Sequence, residues 1–286
     1  MDEERRSVTA ESAAVMRALH QKVDGEPKVL DDPISVRLVD PHSDFYRARV
    51  ELLERLPALT RLRLKATFVM RSRFTEDCLQ GSFSDGLRQY VLLGAGLDTF
   101  AYRQPSWANA LQIFEVDHPA TQRWKRRCLV EAGISVPGNI HFVPIDFEKT
   151  TLATALSQAG LDFSSATFFS MLGVSQYLTE AALDETLRLV RSAPARSELV
   201  FSFIASDAVL PADDVTLVNA LAARNAAIGE PWLLRFLPEQ LVVKLTAMGF
   251  SEVFHLTPEK ANLRYFQNRQ DGLSASLMEQ MIGVRV

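Results

Sequence analysis

The stretch Tyr90-Val91-Leu92-Leu93-Gly94-Ala95-Gly96-Leu97-Asp98 constrains this chain more than any other. An apolar run ends abruptly in a small-residue turn that carries an acid, the pattern of a buried parallel strand delivering backbone amides to a nucleotide-like ligand. Only glycine and alanine let the main chain approach a ligand so closely. About twenty residues further on, Leu111-Gln112-Ile113-Phe114-Glu115-Val116-Asp117 repeats the strand pattern and ends in a carboxylate. That is the spacing at which the acid of a second strand meets a ribose diol.

A dinucleotide fingerprint needs a third glycine near position 99, where a helix packs against the pyrophosphate, and this chain has Thr99. A ligand without phosphates needs less of the glycine loop. Adenosine bearing a charged thioether, S-adenosylmethionine, is therefore the expected cofactor, ahead of NAD.

Composition narrows the class. The chain has 286 residues, 47% of them hydrophobic, enough for one large core or one core plus a cap. A formal charge of -4 argues against a general nucleic-acid binder, so small molecules are the expected partners. Two cysteines, Cys78 and Cys128, suggest no disulfide framework, and a reducing cytoplasm is the simplest home. No apolar run approaches the roughly twenty residues of a membrane span, and residues 1–6 lack the hydrophobic segment of a secretory signal. The five histidines are scattered without ligand spacing, so no metal site is expected.

Residues 1–86 read as a helical cap without a good strand. Thr9 is placed to cap a helix over Ala10 to Leu19, and a long helical stretch from Phe45 to Leu79 is interrupted at Pro57. The eight basic residues between Arg47 and Arg73 are expected mostly on a solvated helix surface. From 87 to 204, short apolar runs alternate with helical segments: strands are expected at 89–93, 112–116, 140–145, 167–172 and 198–204. Such alternation specifies right-handed crossovers and a mostly parallel α/β sheet covered on both faces. Residues 205–245 read as a helical lid insertion, and residues 246–286 complete the sheet with strands near 251–256 and 262–267.

Further motifs occur in order along nearly the whole chain: Asp31-Asp32-Pro33, Arg71-Ser72-Arg73-Phe74, Tyr102-Arg103, Phe114-Glu115-Val116-Asp117-His118-Pro119, Val143-Pro144-Ile145-Asp146-Phe147, Gly173-Val174 with Tyr177-Leu178-Thr179, and Gly229-Glu230-Pro231-Trp232. In this order, around the glycine turn, they resemble the leucine carboxyl methyltransferase family and its bacterial small-molecule branch. The resemblance implies a Rossmann-like, seven-stranded class I methyltransferase fold and use of S-adenosylmethionine. It implies that Arg73 binds the cofactor carboxylate and that Gly94, Ala95 and Gly96 line its methionine arm. Asp117, with His118 beside it, would hold the ribose hydroxyls, and Asp146 and Phe147 would embrace the adenine. Each role is chemically reasonable: a guanidinium grips a carboxylate through two parallel hydrogen bonds, and an aromatic ring covers a base.

Two departures stand out. The family typically has glutamate before the glycine of the fourth-strand motif, facing the cofactor ammonium, and this chain has Leu172 before Gly173. Losing a charge-assisted contact costs about 1.5–3 kcal/mol, roughly ten- to a hundredfold in affinity, unless another acceptor replaces it. Phe100 stands where the bacterial branch often has arginine.

Methyl transfer from a sulfonium is an in-line displacement in which the protein aligns the nucleophile and excludes water. A carboxylate acceptor is already ionised at neutral pH, its reference pKa being about 4. A phenol or alcohol needs a base, for which His118 or Glu230 are available. The absence of a convincing acid–base pair favours a carboxylate, and O-methylation of a small carboxylic or hydroxylated metabolite is the expected reaction. Tyr102, Tyr177, Glu230 and Trp232 are expected near the acceptor, and the chain is expected to be a monomer or homodimer. Leu172 motivates two alternatives: a methyltransferase-like enzyme catalysing a rearrangement or cyclisation, or a cofactor-binding module with a decayed site.

Overall fold

The computed structural model describes residues 7–146 and 149–286. The amino-terminal part is helical, as its sequence suggests. Helix α1 (Val8–Val23) starts at Ser7, whose hydroxyl accepts the Ala10 N–H, so the cap lies two residues before Thr9. Helix α2 (Pro33–Leu38) is capped by Asp32 and carries its proline at the first position, where the missing N–H costs nothing. Pro57 separates α3 (Asp44–Glu54) from α4 (Ala58–Ser84).

Two members of the basic run are buried instead of solvated, Lys65 and Arg71. Lys65 contacts Asp24, which also meets His20 Nδ1 at 2.7 Å. His20 Nε2 accepts the Val29 N–H at 3.1 Å, so the imidazole bridges the acid and the backbone. A lysine with no acid in reach would not tolerate that burial.

Strands and helices then alternate: β1 (Gln89–Leu93), β2 (Gln112–Asp117), α5 (Pro119–Glu131), β3 (Ile140–Pro144), α6 (Leu152–Gln158), β4 (Thr167–Met171), α7 (Glu180–Arg191) and β5 (Glu198–Ile204). After these come α8 (Ala212–Ala227), α9 (Pro238–Ala247), β6 (Glu252–Leu256), α10 (Pro258–Ala261) and β7 (Glu279–Arg285). They build one seven-stranded sheet of order β3-β2-β1-β4-β5-β7-β6. Strands β1 to β5 run parallel, and β7 lies antiparallel between β5 and β6. The chain builds outward from β1 to β3 and then returns to place β4 on the other side of β1. A crevice therefore opens at the carboxyl ends of β1 and β4, the switch point of the sheet.

Strand residues feed two cores in alternation. Tyr90, Leu92 and Phe168 pack on one face with Phe74 and Leu79 of α4, while Val91, Phe169 and Phe201 pack on the other with Leu156, Leu187 and Leu241. Phe100 belongs to the first core, 2% exposed and edge-on to Tyr90 at 5.6 Å, a place where an arginine would need a partner.

The carboxyl-terminal reading needs correction. Residues 262–267 are not a strand: Thr257 caps α10, and the chain continues through a wider helical turn, Asn262–Phe266, that buries Ala261 and Phe266. The seventh strand is Glu279–Arg285, whose pattern is broken by Gly283. A Cβ there would lie 1.9 Å from the Phe254 ring, so the cross-strand aromatic requires the glycine. Helix α9 was read as part of the lid, yet Leu241 and Leu245 are buried in the second core against the sheet. Only α8 and the loop to Trp232 reach over the strand ends.

Candidate functional site

A cavity of about 1400 Å³ lies at the carboxyl ends of β1, β2 and β4, walled by α1, α3, α4 and α8. Its floor is the glycine turn. Gly94 and Gly96 hold φ of +71° and +44°, values costly for residues with a side chain. A Cβ on Gly94 would meet Val174 Cγ2 at 2.3 Å. Both Gly94 and Ala95 donate their N–H to Val116 O, at 2.9 and 3.0 Å, which staples the turn to the end of β2. Asp117 follows: one carboxylate oxygen accepts the Gly96 N–H and the other the His118 N–H. Each oxygen has two acceptor sites, so one on each is left over. Burial pushes the Asp117 carboxyl above its ordinary range, opposed by those two N–H groups.

The turn is braced from behind by charges that the motifs supply. Arg17 of α1 contacts Asp32 at 3.0 Å and donates to Leu97 O at 2.6 Å. Arg103 reaches Asp32 at 3.4 Å, Thr99 at 3.1 Å and Glu76 at 3.0 Å. The Asp31-Asp32-Pro33 and Tyr102-Arg103 elements therefore shape the turn from outside the cavity.

The arginine assignment changes. Arg73 does not line the cavity: its side chain is 46% exposed and pairs with Asp77 one helical turn on. Arg71 does line it, with its side chain 9% exposed and Nη1 2.9 Å from Glu279 Oε1. Residues two apart on a helix point about 200° from each other, so only one of the two can face the site. Gly173 is shaped to the same group, since a Cβ there would stand 2.6 Å from Arg71 Nη1. Leu172 and Glu279 both line this part of the cavity, the acid arriving on β7 from the far end of the sequence.

Other expected residues divide. His118 lines the cavity, and its Nδ1 caps α5 by accepting the Ala120 N–H at 3.3 Å. Asp146 lines it as well, with Lys149 Nζ 3.0 Å away. Phe147 lies outside the described residues. Tyr177, Glu230 and Trp232 are in the wall. Glu230 accepts the Val8 N–H at 2.9 Å and the Thr9 N–H at 3.3 Å, tying the lid loop to the start of α1. Burial raises the Tyr177 phenol, so its hydroxyl stays protonated at neutral pH. Tyr102 is not in the cavity: a short 3-10 turn aims it behind β2, where its hydroxyl donates to Glu115 at 3.0 Å and its ring lies under Lys125. Among the described residues, no cluster of His, Cys, Asp or Glu is arranged to hold a metal, and no helix is long and apolar enough to cross a membrane.

Comparison with known proteins identifies the family. The family model for leucine carboxyl methyltransferase matches residues 10–191. The Bacillus subtilis protein YktD, which bears the name of an S-adenosyl-L-methionine-dependent methyltransferase, is 34% identical over 288 aligned residues, 94% of each chain. Two solved structures share the fold: a DUF574 family protein from Streptomyces avermitilis and a Thermobifida fusca protein named as a methyltransferase. The first has a TM-score of 0.56 at 14% identity and covers 98% of this chain and 99% of its own. The second has a TM-score of 0.55 at 18% identity, covering 96% and 93%. With its matched motifs spread from the cap through the fourth strand and α7, this chain belongs to the leucine carboxyl methyltransferase family.

Proposed function

We propose that this chain is an S-adenosylmethionine-dependent methyltransferase that places a methyl group on an oxygen of a small molecule. The observation that carries this reading is the convergence of three chemically distinct contacts on one cavity. The glycine turn offers close backbone approach, Asp117 keeps two acceptor sites for a ribose diol, and Arg71 and Glu279 offer opposite charges for an amino-acid zwitterion. The donor set fits the cofactor named by the curated relative. Arg71 and Glu279 touch through one atom each, so both keep capacity for a ligand carboxylate and ammonium. Glu279 is the acid that would take the ammonium in place of a glutamate at Leu172, which supports a working site over a decayed one.

When bound, the cofactor supplies a methyl carbon on a positively charged sulfur. The residues around it orient and desolvate. Leu172, Val174 and the lid loop keep water from the strand ends, and the fixed turn holds the reacting face. The expected bases are otherwise engaged: His118 Nδ1 and Glu230 accept amides at helix starts, and burial raises the Tyr177 phenol. An oxygen that is anionic at neutral pH is the acceptor such a site serves, which favours carboxylates. Incubating the protein with methyl-labelled cofactor and a metabolite extract tests this. Base-labile label in a small acid supports it, and turnover of a substrate without label transfer defeats it.

A further inference from the structure

The cavity, at about 1400 Å³, exceeds the 300–1,000 Å³ typical of a single ligand site, leaving room beyond the glycine turn, Asp117 and Arg71. The wall of that space is apolar: Leu52 and Leu56 at the end of α3, Leu64 and Phe68 on α4, and Val218 and Leu221 on α8. Two arginines break it, Arg49 from α3 and Arg224 from α8, and both line the same cavity. The other three cavity arginines have acids within 4 Å: Arg17 has Asp32, Arg71 has Glu279 and Arg188 has Asp184. Among the described residues, Arg49 and Arg224 make no ion pair.

Arg49 lies over the Phe45 ring at 5.1 Å, which fixes its guanidinium without neutralising it. Burial first and the charge of Arg224 second bring its pKa down to about 10, with Glu11 working against both. Burial also lowers Arg224. Two cations from different helices thus line one cavity among apolar side chains. An anion between them would gain from both charges at once.

Resting on the methyl-transfer reading above, we infer that the acceptor is an amphiphilic acid, its apolar body against α3, α4 and α8 and its anionic group between Arg49 and Arg224. A guanidinium pair grips a carboxylate, sulfate or phosphate by the same geometry, and gives an otherwise greasy pocket a reason to prefer the charged ligand. The pair acts as a specificity device that selects the ligand by its charge.

The test is calorimetry on the full chain saturated with S-adenosylhomocysteine, titrated with decanoate and, separately, with decanamide. The parent is expected to bind decanoate at least tenfold more tightly. In Arg49→Met and Arg224→Met this preference should fall below about twofold, while Arg49→Lys retains part of it. Equal affinity for acid and amide in the parent overturns the inference, as does binding of neither, or a preference that survives both methionine variants. Thermal melting of each variant separates loss of the anion from loss of the fold. The affinity for S-adenosylhomocysteine is read in the same experiment. Its absence in the parent defeats the methyl-transfer reading itself, whereas its presence without an acid preference defeats only this inference.

Discussion

Replacing Arg71 and Arg73 in turn by methionine separates the sequence expectation from the structure. Arg71 sits 9% exposed against Gly173, 2.9 Å from Glu279, whereas Arg73 is 46% exposed and paired along the helix with Asp77. A charge-assisted hydrogen bond in a partly buried site is worth about 1.5–3 kcal/mol, so Arg71→Met should weaken S-adenosylhomocysteine binding roughly ten- to a hundredfold at 1.4 kcal/mol per decade. It also leaves Glu279 without its cation. Breaking a fully buried pair costs about 3–5 kcal/mol, but these side chains open onto a cavity and the loss belongs at the low end. Arg73→Met removes an exposed pair worth about 0.3–0.5 kcal/mol and touches no ligand. Titration calorimetry gives the affinities and thermal melting the stabilities. Adding Glu279→Gln to Arg71→Met removes the stranded charge and should restore stability but not affinity. The reasoning fails if Arg73→Met weakens binding while Arg71→Met stays within twofold of the parent.

Other outcomes follow from the same geometry. Because burial raises the Asp117 carboxyl, S-adenosylhomocysteine affinity should be flat near neutrality and decline on acidification at a pH above the ordinary aspartate range of about 4, as protonation removes an acceptor. The linkage sign is that the folded state binds this proton more readily than the unfolded one, so this group's contribution to stability falls as pH rises through that window; a binding profile with no acid limb contradicts the assignment. Glu279→Gln should weaken the cofactor product about tenfold, and adding Leu172→Glu should recover much of it; calorimetry showing no recovery places the ammonium elsewhere. Gly94→Ala brings a Cβ to 2.3 Å from Val174 at φ +71°, and should lower stability by about 1–3 kcal/mol, seen as a fall in Tm. Lys125→Met strands Glu115, which is fully buried and 2.8 Å from Lys125, at a cost of about 3–5 kcal/mol that Glu115→Gln should partly reverse in a melting experiment.

The parallel strands were legible because β1, β4 and β5 are buried throughout, β2 and β3 still carry apolar runs, and helix-forming or turn segments separate them. The last strand was not, because Gly283 makes room for Phe254 and interrupts the pattern. The glycine turn and Asp117 announced themselves by spacing. Arg71 did not, because choosing between two arginines in Arg-Ser-Arg requires the rotation of α4 against the sheet. Lys65 hid for a similar reason: its partner Asp24 is remote in sequence, and only the packing of α1 on α4 brings them together. Glu279 had no local signal at all, since its meaning depends on β7 inserting between β5 and β6. Tyr102 was misplaced by adjacency, standing next to the glycine motif in sequence yet directed behind the sheet.

The two hydrogen bonds that Glu230 accepts from the first amides of α1 make a latch between that helix and a loop late in the chain. Ala10 of the same helix stands 3.0 Å from where a Cβ on Gly96 would be, so α1 rests on the glycine turn at its other contact. One short helix thus meets the lid loop and the glycine turn at once. Removing residues 7–10 would therefore take away the partners of Glu230 and the Ala10 contact with Gly96 together, disturbing the lid loop and the glycine turn in one step.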